Sequence, residues 1–108
     1  MRNSSELRAR RHYRLRGYRI LGENVWIGGY ELDLVVRRGR TLVFCEVKGK
    51  SGMGFGDPLE MVTREKARRV RRAAAVWLAS NPEHRGCAIR FDVVAERGTK
   101  LERLAQAF

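Results

Sequence analysis

The sequence has few cysteines, few acidic residues and no long apolar segment, and each shortage excludes a class of protein. Two cysteines among 108 residues are too few for a disulfide framework or a four-thiolate zinc site. The longest apolar run, Ala73 to Ala79, is far shorter than the roughly 20 residues that a membrane-spanning helix needs. Arg2 is followed by polar residues, so no secretory signal is visible. We therefore expect one soluble, cytoplasmic domain spanning residues 1–108.

The shortage of acids leaves a strongly basic chain. Its 23 Lys and Arg residues outnumber 12 Asp and Glu, which gives a formal net charge of +11. Such an excess favours a polyanionic partner, most simply nucleic acid, with an anionic membrane surface as the rival. The rival requires a helix with exposed apolar residues, whereas the apolar stripe predicted over residues 64–80 is better explained as core. Membrane docking therefore ranks last.

Two predicted strands at the centre of the chain carry acidic residues where a core strand would carry apolar ones. Residues 31–36 and 41–47 are rich in Val, Leu, Phe and Thr, and Arg38-Gly39 is a plausible turn between them. A loop of two or four residues places Glu31 opposite Glu46 and Asp33 diagonally across from Glu46. Diagonal neighbours have Cβ atoms about 7–8 Å apart, close enough for two carboxylates to bind one ion.

Loop length decides whether the acids meet at all. A three-residue loop would put Asp33 and Glu46 on opposite faces of the sheet. If they do share a face, they repel one another and lose hydration unless a cation lies between them. A hard divalent metal with Lys48 beside it removes that objection. An edge hairpin with a charged face toward solvent explains the same residues equally well.

These residues resemble the core of a known nuclease family. Asp33, followed by Glu46-Val47-Lys48 at the end of the next strand, is similar to the D…(D/E)xK pattern of restriction-endonuclease-like nucleases. The match is closer to the YraN-type predicted endonucleases, a small bacterial group similar to archaeal Holliday junction resolvases. Its further matching positions span nearly the whole chain: Glu6-x-x-Ala9, Gly17-Tyr18, Asn24, Glu31 to Leu34, Val43 to Lys48, Lys66 and Arg90-Phe91-Asp92. The chain departs from the family at Tyr30, where Gly is usual, and at Gly49, where Arg or Thr is usual.

The resemblance implies an α/β fold with a restriction-endonuclease-like α-β-β-β-α-β core, a mixed sheet flanked by helices. It implies that Asp33, Glu46 and the Val47 carbonyl hold one or two Mg²⁺ or Mn²⁺ ions, and that Lys48 positions or deprotonates the attacking water. It also implies a DNA substrate, with branched or junction DNA favoured. A homodimer would match the two-fold symmetry of such a junction.

Two further residues have both an ordinary explanation and a catalytic one. Glu6 would complement the dipole of the first helix, whereas the resemblance makes it an acid that binds metal through a water or orients the site. Lys66 lies at the edge of the buried helix face. The aliphatic part of the Lys66 side chain could pack on the protein while its ammonium group reaches solvent. The resemblance instead implies that the ammonium group reaches the site or the scissile phosphate.

Two helices are predicted to carry the basic residues. The first runs from about Glu6 to Arg16, capped by Ser4 or Ser5 and ended by Gly17. The second runs over residues 64–80 and is capped by Thr63. We expect eight basic residues to contact phosphates without reading sequence: Arg8, Arg11, Arg14, Lys50, Arg64, Arg68, Arg71 and Arg72.

Other segments leave choices open. Tyr18 to Ile27 is a predicted strand in which Trp26 faces Glu31, and Trp26 is expected to shelter the core rather than stack on a base. The glycine-rich residues 49–58 either close over a substrate, with Phe55 at the tip, or simply connect two elements. Ala88 to Ala95 is a predicted strand, and the tail from Leu101 fits either a helix or an extended end.

The alternative function is a non-catalytic, basic nucleic-acid-binding module whose acidic hairpin is structural. Both functions predict salt-sensitive binding of nucleic acid. Only the nuclease requires Asp33 and Glu46 to coordinate a divalent ion.

Overall fold

The computed structural model describes residues 4–49, 63–97 and 99–108, and Lys50 and Phe55 of the glycine-rich segment lie outside these ranges. The described elements, in chain order, are α1 (Ser4–Leu15), β1 (Arg19–Ile27), β2 (Tyr30–Arg38), β3 (Thr41–Lys48), α2 (Arg64–Ser80), a single 3-10 turn (Pro82–His84), β4 (Ala88–Arg97) and β5 (Lys100–Leu104).

The strands form one mixed sheet in the order β1-β2-β3-β4-β5. β3 and β4 are parallel, and the other neighbouring pairs are antiparallel. Ala9 and Tyr13 of α1 pack on one buried cluster of the sheet, and Val70 and Trp77 of α2 pack on another. The predicted α/β fold is thus confirmed, a mixed sheet flanked by helices and compatible with a restriction-endonuclease-like core, with β5 added at its edge.

The start of α1 differs from the prediction. The helix begins at Ser4, so neither Ser4 nor Ser5 lies before it as a cap. The Ser5 hydroxyl instead donates a hydrogen bond to buried Glu96, which holds the helix to β4. Gly17 does end the helix as predicted, because its φ of 86° is left-handed and the residue follows the last turn.

The predictions for α2 are confirmed. The Thr63 hydroxyl accepts a hydrogen bond from the Lys66 amide at 3.1 Å, which caps the helix. The buried face comprises Ala67, Val70, Ala73, Ala74 and Trp77. Arg64, Arg68, Arg71 and Arg72 are all exposed.

The tail is extended. β5 pairs antiparallel with β4, and beyond it the Ala107 amide donates to the Phe91 carbonyl at 2.8 Å. The added strand covers an edge that β4 would otherwise expose.

Asp92 of β4 is fully buried, and its charge is compensated on all sides. Its carboxylate accepts from the Tyr13 hydroxyl at 2.7 Å, from the Arg90 guanidinium twice at 2.9 Å, and from the Gln106 amide at 3.2 Å. Arg103 lies 3.7 Å away. This buried ion pair and its hydrogen bonds join α1, β4 and the tail.

Both cysteines are free thiols. Cys45 is buried in the cluster beneath α1, and burial raises the pKa of its thiol. Neither helix of the described ranges is long and apolar enough to cross a membrane.

Candidate functional site

The turn between β2 and β3 sets the register of the site. Arg38 pairs with Thr41, so the turn is Gly39-Arg40 rather than the predicted Arg38-Gly39. Gly39 has a φ of 58° and takes the first turn position, where a II′ turn requires Gly. The displaced turn shifts the register by two residues, an even number, so the acids of the two strands still meet.

Asp33 lies one residue beyond the last regular pair between β2 and β3 in the direction of the β1–β2 turn. The regular ladder with β3 ends at the pair Leu34 and Cys45, and one further step brings Asp33 beside Glu46. The expectation that Glu31 lies opposite Glu46 is therefore wrong, because the register differs by two. The Val47 amide donates to Asp33 Oδ2 at 2.9 Å, so a side chain replaces a backbone acceptor at this end of the sheet.

Glu6 of α1 reaches the same region through Asn24. Asn24 adopts a left-handed φ of 50° within β1 and donates from Nδ2 to Glu6 Oε2 at 3.0 Å. The Glu6 charge is among the causes that raise the pKa of Asp33. The hydrogen bond to Asn24 thus links Glu6 of α1 to β1, and the charge of Glu6 acts on Asp33.

Glu46 is buried with one carboxylate oxygen unsatisfied. Its side chain is only 2% exposed. Oε1 accepts from the Tyr30 hydroxyl at 2.7 Å and lies 3.9 Å from Lys66 Nζ. Oε2 has no hydrogen-bond partner among the described residues, which is costly for a buried carboxylate.

The two acids are electrostatically strained. Burial, and then the charge of Glu46, raise the pKa of Asp33 to about 7, although the Val47 amide opposes the shift. Burial likewise raises the pKa of Glu46 against the opposing effects of the Tyr30 hydrogen bond and the Lys66 charge. Burial is thus the largest cause of both shifts, and the charge of Glu46 adds to it for Asp33.

The donor set fits a hard divalent cation. Asp33, Glu46 and the Val47 carbonyl supply oxygen ligands, which Mg²⁺ and Mn²⁺ prefer. Within residues 4–49, 63–97 and 99–108 there is no cluster of three acidic, His or Cys side chains placed to hold a metal. The remaining coordination positions would therefore fall to water, as is usual for Mg²⁺.

The acids lie in an open cleft of about 430 Å³. Its lining residues come from the β1–β2 hairpin, the end of β3 and the first turns of α2: Trp26, Gly29, Tyr30, Glu31, Asp33, Glu46, Val47, Lys48, Lys66 and Arg69. Four of the five predicted catalytic residues thus meet in one cleft, and Glu6 approaches it through Asn24.

Sequence reasoning missed two residues of this cleft and misjudged a third. Tyr30 holds Glu46, and its only signal was that it replaces the usual family glycine. Arg69, whose side chain is 62% exposed on α2, is absent from the predicted set of phosphate-binding residues. Trp26 was expected to shelter the core, but its side chain is 73% exposed.

Some of the predicted phosphate-binding residues form ion pairs within the protein, and others are exposed to solvent. Arg8 is ion-paired with Glu96 and donates to the Thr99 carbonyl, and Arg68 is paired with Glu65. Arg11, Arg14, Arg64, Arg71 and Arg72 are exposed on α1 and α2. None of these seven lines the cleft, whose cations are Lys48, Lys66 and Arg69.

In EDTA, the free energy of unfolding of the wild type relative to Asp33→Asn is expected to fall as pH rises from about 4 to 7. The pKa of Asp33 is about 7 when folded and 3.8 when unfolded. The folded state therefore holds an extra proton across this window, and stability is lost as that proton leaves. Urea unfolding at several pH values should show a change on the order of 2–4 kcal/mol.

Glu83→Gln removes an exposed carboxylate outside the cleft. The difference in free energy of unfolding between the wild type and Glu83→Gln should therefore not change with pH. A difference between wild type and Asp33→Asn that stays flat or rises with pH would show that Asp33 ionises like a surface acid.

Comparisons with known proteins identify the family. The uncharacterised protein family UPF0102 matches residues 5–95. A UPF0102 protein of Acidothermus cellulolyticus is 42% identical over 114 residues, covering 93% of this chain and 86% of the relative. Another, from Shewanella amazonensis, is 40% identical over 104 residues, covering 96% and 94%. A third, from Frankia alni, is 51% identical over 86 residues, covering 80% and 71%. The resemblance to the small bacterial YraN-type family is therefore confirmed at the level of the family, and the chain belongs to that family, UPF0102.

Proposed function

We propose that the protein is a metal-dependent endonuclease of the cytoplasm that hydrolyses phosphodiester bonds of DNA, with branched or junction DNA favoured. The Oε2 atom of buried Glu46, which has no hydrogen-bond partner within residues 4–49, 63–97 and 99–108, carries this proposal. A buried carboxylate beside a second acid of raised pKa is costly to a fold, and a divalent cation bound there would remove the cost. Such ions are common catalysts of phosphodiester hydrolysis.

Lys48, Lys66 and Tyr30 would assist the acids in this reaction. Bound Mg²⁺ or Mn²⁺ would make a water more acidic and offset negative charge on the phosphate. Lys48 follows Glu46 by two residues and is half-buried in the same cleft. It would position that water or take its proton. Lys66 would neutralise Glu46 and approach the phosphate, and Tyr30 would fix the orientation of the Glu46 carboxylate.

The basic helix faces would hold the DNA. Arg11 and Arg14 on α1 and Arg64, Arg71 and Arg72 on α2 are exposed, and guanidinium groups bind phosphates without reading bases. α1 and α2 pack on separate clusters of the sheet, so their arginines present charge in more than one direction. That distribution suits a branched duplex better than a single linear one, and a homodimer would match the symmetry of a four-way junction.

The proposal is tested by incubating the protein with labelled linear, flap and four-way-junction DNA in Mg²⁺, in Mn²⁺ and in EDTA. Cleavage is expected with either metal, fastest on a branched substrate, and none in EDTA. Glu83→Gln, altered outside the cleft, should cut like wild type. Binding of all substrates without cleavage in any metal would contradict the nuclease.

The second candidate is a non-catalytic basic module that binds DNA or RNA. The hydrogen bond from Tyr30 favours it, because one oxygen of Glu46 already has a protein partner. The two candidates differ in metal affinity. Titration calorimetry with Mn²⁺ should show binding that Asp33→Asn weakens if the protein is a nuclease, and no binding at this site if the acids are structural.

A further inference from the structure

Trp26 is exposed at the rim of the acidic cleft. Its side chain is 73% exposed, whereas the other tryptophan, Trp77, is 5% exposed in the core beneath α2. A single exposed apolar residue needs no explanation by itself. The position of Trp26 does, because its indole lines the cleft that also contains Asp33 and Glu46.

The backbone beneath Trp26 is firmly held. Its neighbours Val25 and Ile27 pack against the core cluster of α2, so strand alternation turns the indole away from that core. The next residue, Gly28, has a φ of 61°, and a Cβ there would lie 3.1 Å from the Ala73 Cα. The tip of the hairpin thus lies against α2, which fixes the place of Trp26 while its ring stays accessible.

The cleft beside the indole carries three cations, Lys48, Lys66 and Arg69, together with the acids Glu31, Asp33 and Glu46. Arg69 of α2 lines the same cleft, and its side chain is 62% exposed although it pairs with Glu65. Lys66 lies 3.9 Å from Glu46, and half-buried Lys48 lines the same cleft. An apolar peptide would leave these positive charges unpaired, whereas a nucleotide offers a base to Trp26 and a phosphate to the cations.

We propose that Trp26 stacks on an unpaired base of the DNA strand that enters the cleft. Bases of a continuous duplex already stack on their neighbours and offer no free face, so this contact selects DNA with unpaired nucleotides at the cleft, such as flaps or opened junctions. The inference rests on the proposed function for its DNA substrate, and it narrows the substrate to strands with an unpaired base.

Intrinsic fluorescence tests the contact without cleavage. A single-stranded thymidine oligonucleotide, titrated in EDTA, should quench the emission of exposed Trp26 in the wild type. In Trp26→Phe, where only Trp77 emits, the quenching should disappear. Trp26→Ala should bind the single strand about tenfold more weakly, and Trp26→Phe should retain most of the affinity.

The matched control is Leu15→Ala, which removes an equally exposed apolar side chain from the end of α1. It should bind single strands as the wild type does. Affinity for blunt duplex should stay within about twofold in Trp26→Ala, because duplex bases are unavailable for stacking. Equal single-strand affinity of Trp26→Ala and wild type, or an equal loss on duplex, would overturn the inference.

Cleavage separates this inference from the proposed function. Wild type that binds single strands with quenching but cuts nothing in Mg²⁺ or Mn²⁺ would refute the nuclease and retain the stacking contact. Trp26→Ala that cuts flap and linear DNA in the same ratio as wild type would refute the stacking contact and retain the nuclease.

Discussion

Asp33→Asn and Glu46→Gln are each expected to slow DNA cleavage about a thousandfold or more, since losing a metal ligand removes several kcal/mol of transition-state stabilisation. Each variant keeps the shape of its side chain, replaces one carboxylate oxygen by an amide NH2 group and removes the negative charge. Asn at position 33 can still accept from the Val47 amide, which Ala could not. Initial rates on the preferred labelled DNA in Mn²⁺ measure the effect.

Affinity for the same DNA in EDTA is the internal check on these variants. It should match or slightly exceed that of the wild type, because an acid is removed near the phosphates. Glu83→Gln is the matched control, since it removes an exposed carboxylate outside the cleft and should cut like the wild type. Cleavage that survives both Asp33→Asn and Glu46→Gln would locate the active site elsewhere.

Asp92→Ala is expected to destabilise the fold by about 3–5 kcal/mol, because removing one member of a buried ion pair leaves the other uncompensated. Arg90 would lose two hydrogen bonds and the buried Tyr13 hydroxyl would lose its partner. For a chain of this size the loss lowers the melting temperature by roughly 15 °C or more. Thermal unfolding followed by circular dichroism measures it.

Two further variants show whether the loss comes from this network. Tyr13→Phe removes a single hydrogen bond to Asp92 and should cost about 1 kcal/mol. Glu65→Ala removes an acid whose ion pairs are on the surface of α2, and its melting temperature should equal that of the wild type. Melting of Asp92→Ala within a few degrees of wild type would show that water or neighbouring groups replace the carboxylate.

Local patterns in the sequence predicted most of the fold. Segments rich in Val, Leu, Phe and Thr predicted β2 and β3, and alternating apolar residues predicted β4. The Thr63 cap and the apolar stripe predicted α2 with the bounds that the structure shows. The turn at Gly39 was placed one residue early, because the sequence does not show which turn position a glycine takes. The error left Asp33 and Glu46 together only because a two-residue shift preserves strand faces.

Residues whose roles depend on distant contacts were harder to predict. Ser5 suggested a helix cap, but its hydroxyl donates a hydrogen bond to buried Glu96, which lies far along the chain. Tyr30 reads as an ordinary strand residue until the register brings Glu46 within 2.7 Å. The exposure of Trp26 follows from how the hairpin packs on α2, which no local pattern specifies. The tail is a strand because it pairs with the edge of β4, a contact that its own residues do not reveal.

The hydrogen bond from the Val47 amide to Asp33 has an evolutionary consequence. Position 33 is constrained twice, once by the sheet, which needs an acceptor there, and once by the proposed chemistry, which needs a negative charge. A descendant that abandoned the chemistry would be released from the second constraint but not from the first. Asparagine meets the remaining one, so drift at this position leads toward Asn more readily than toward Ala or Gly.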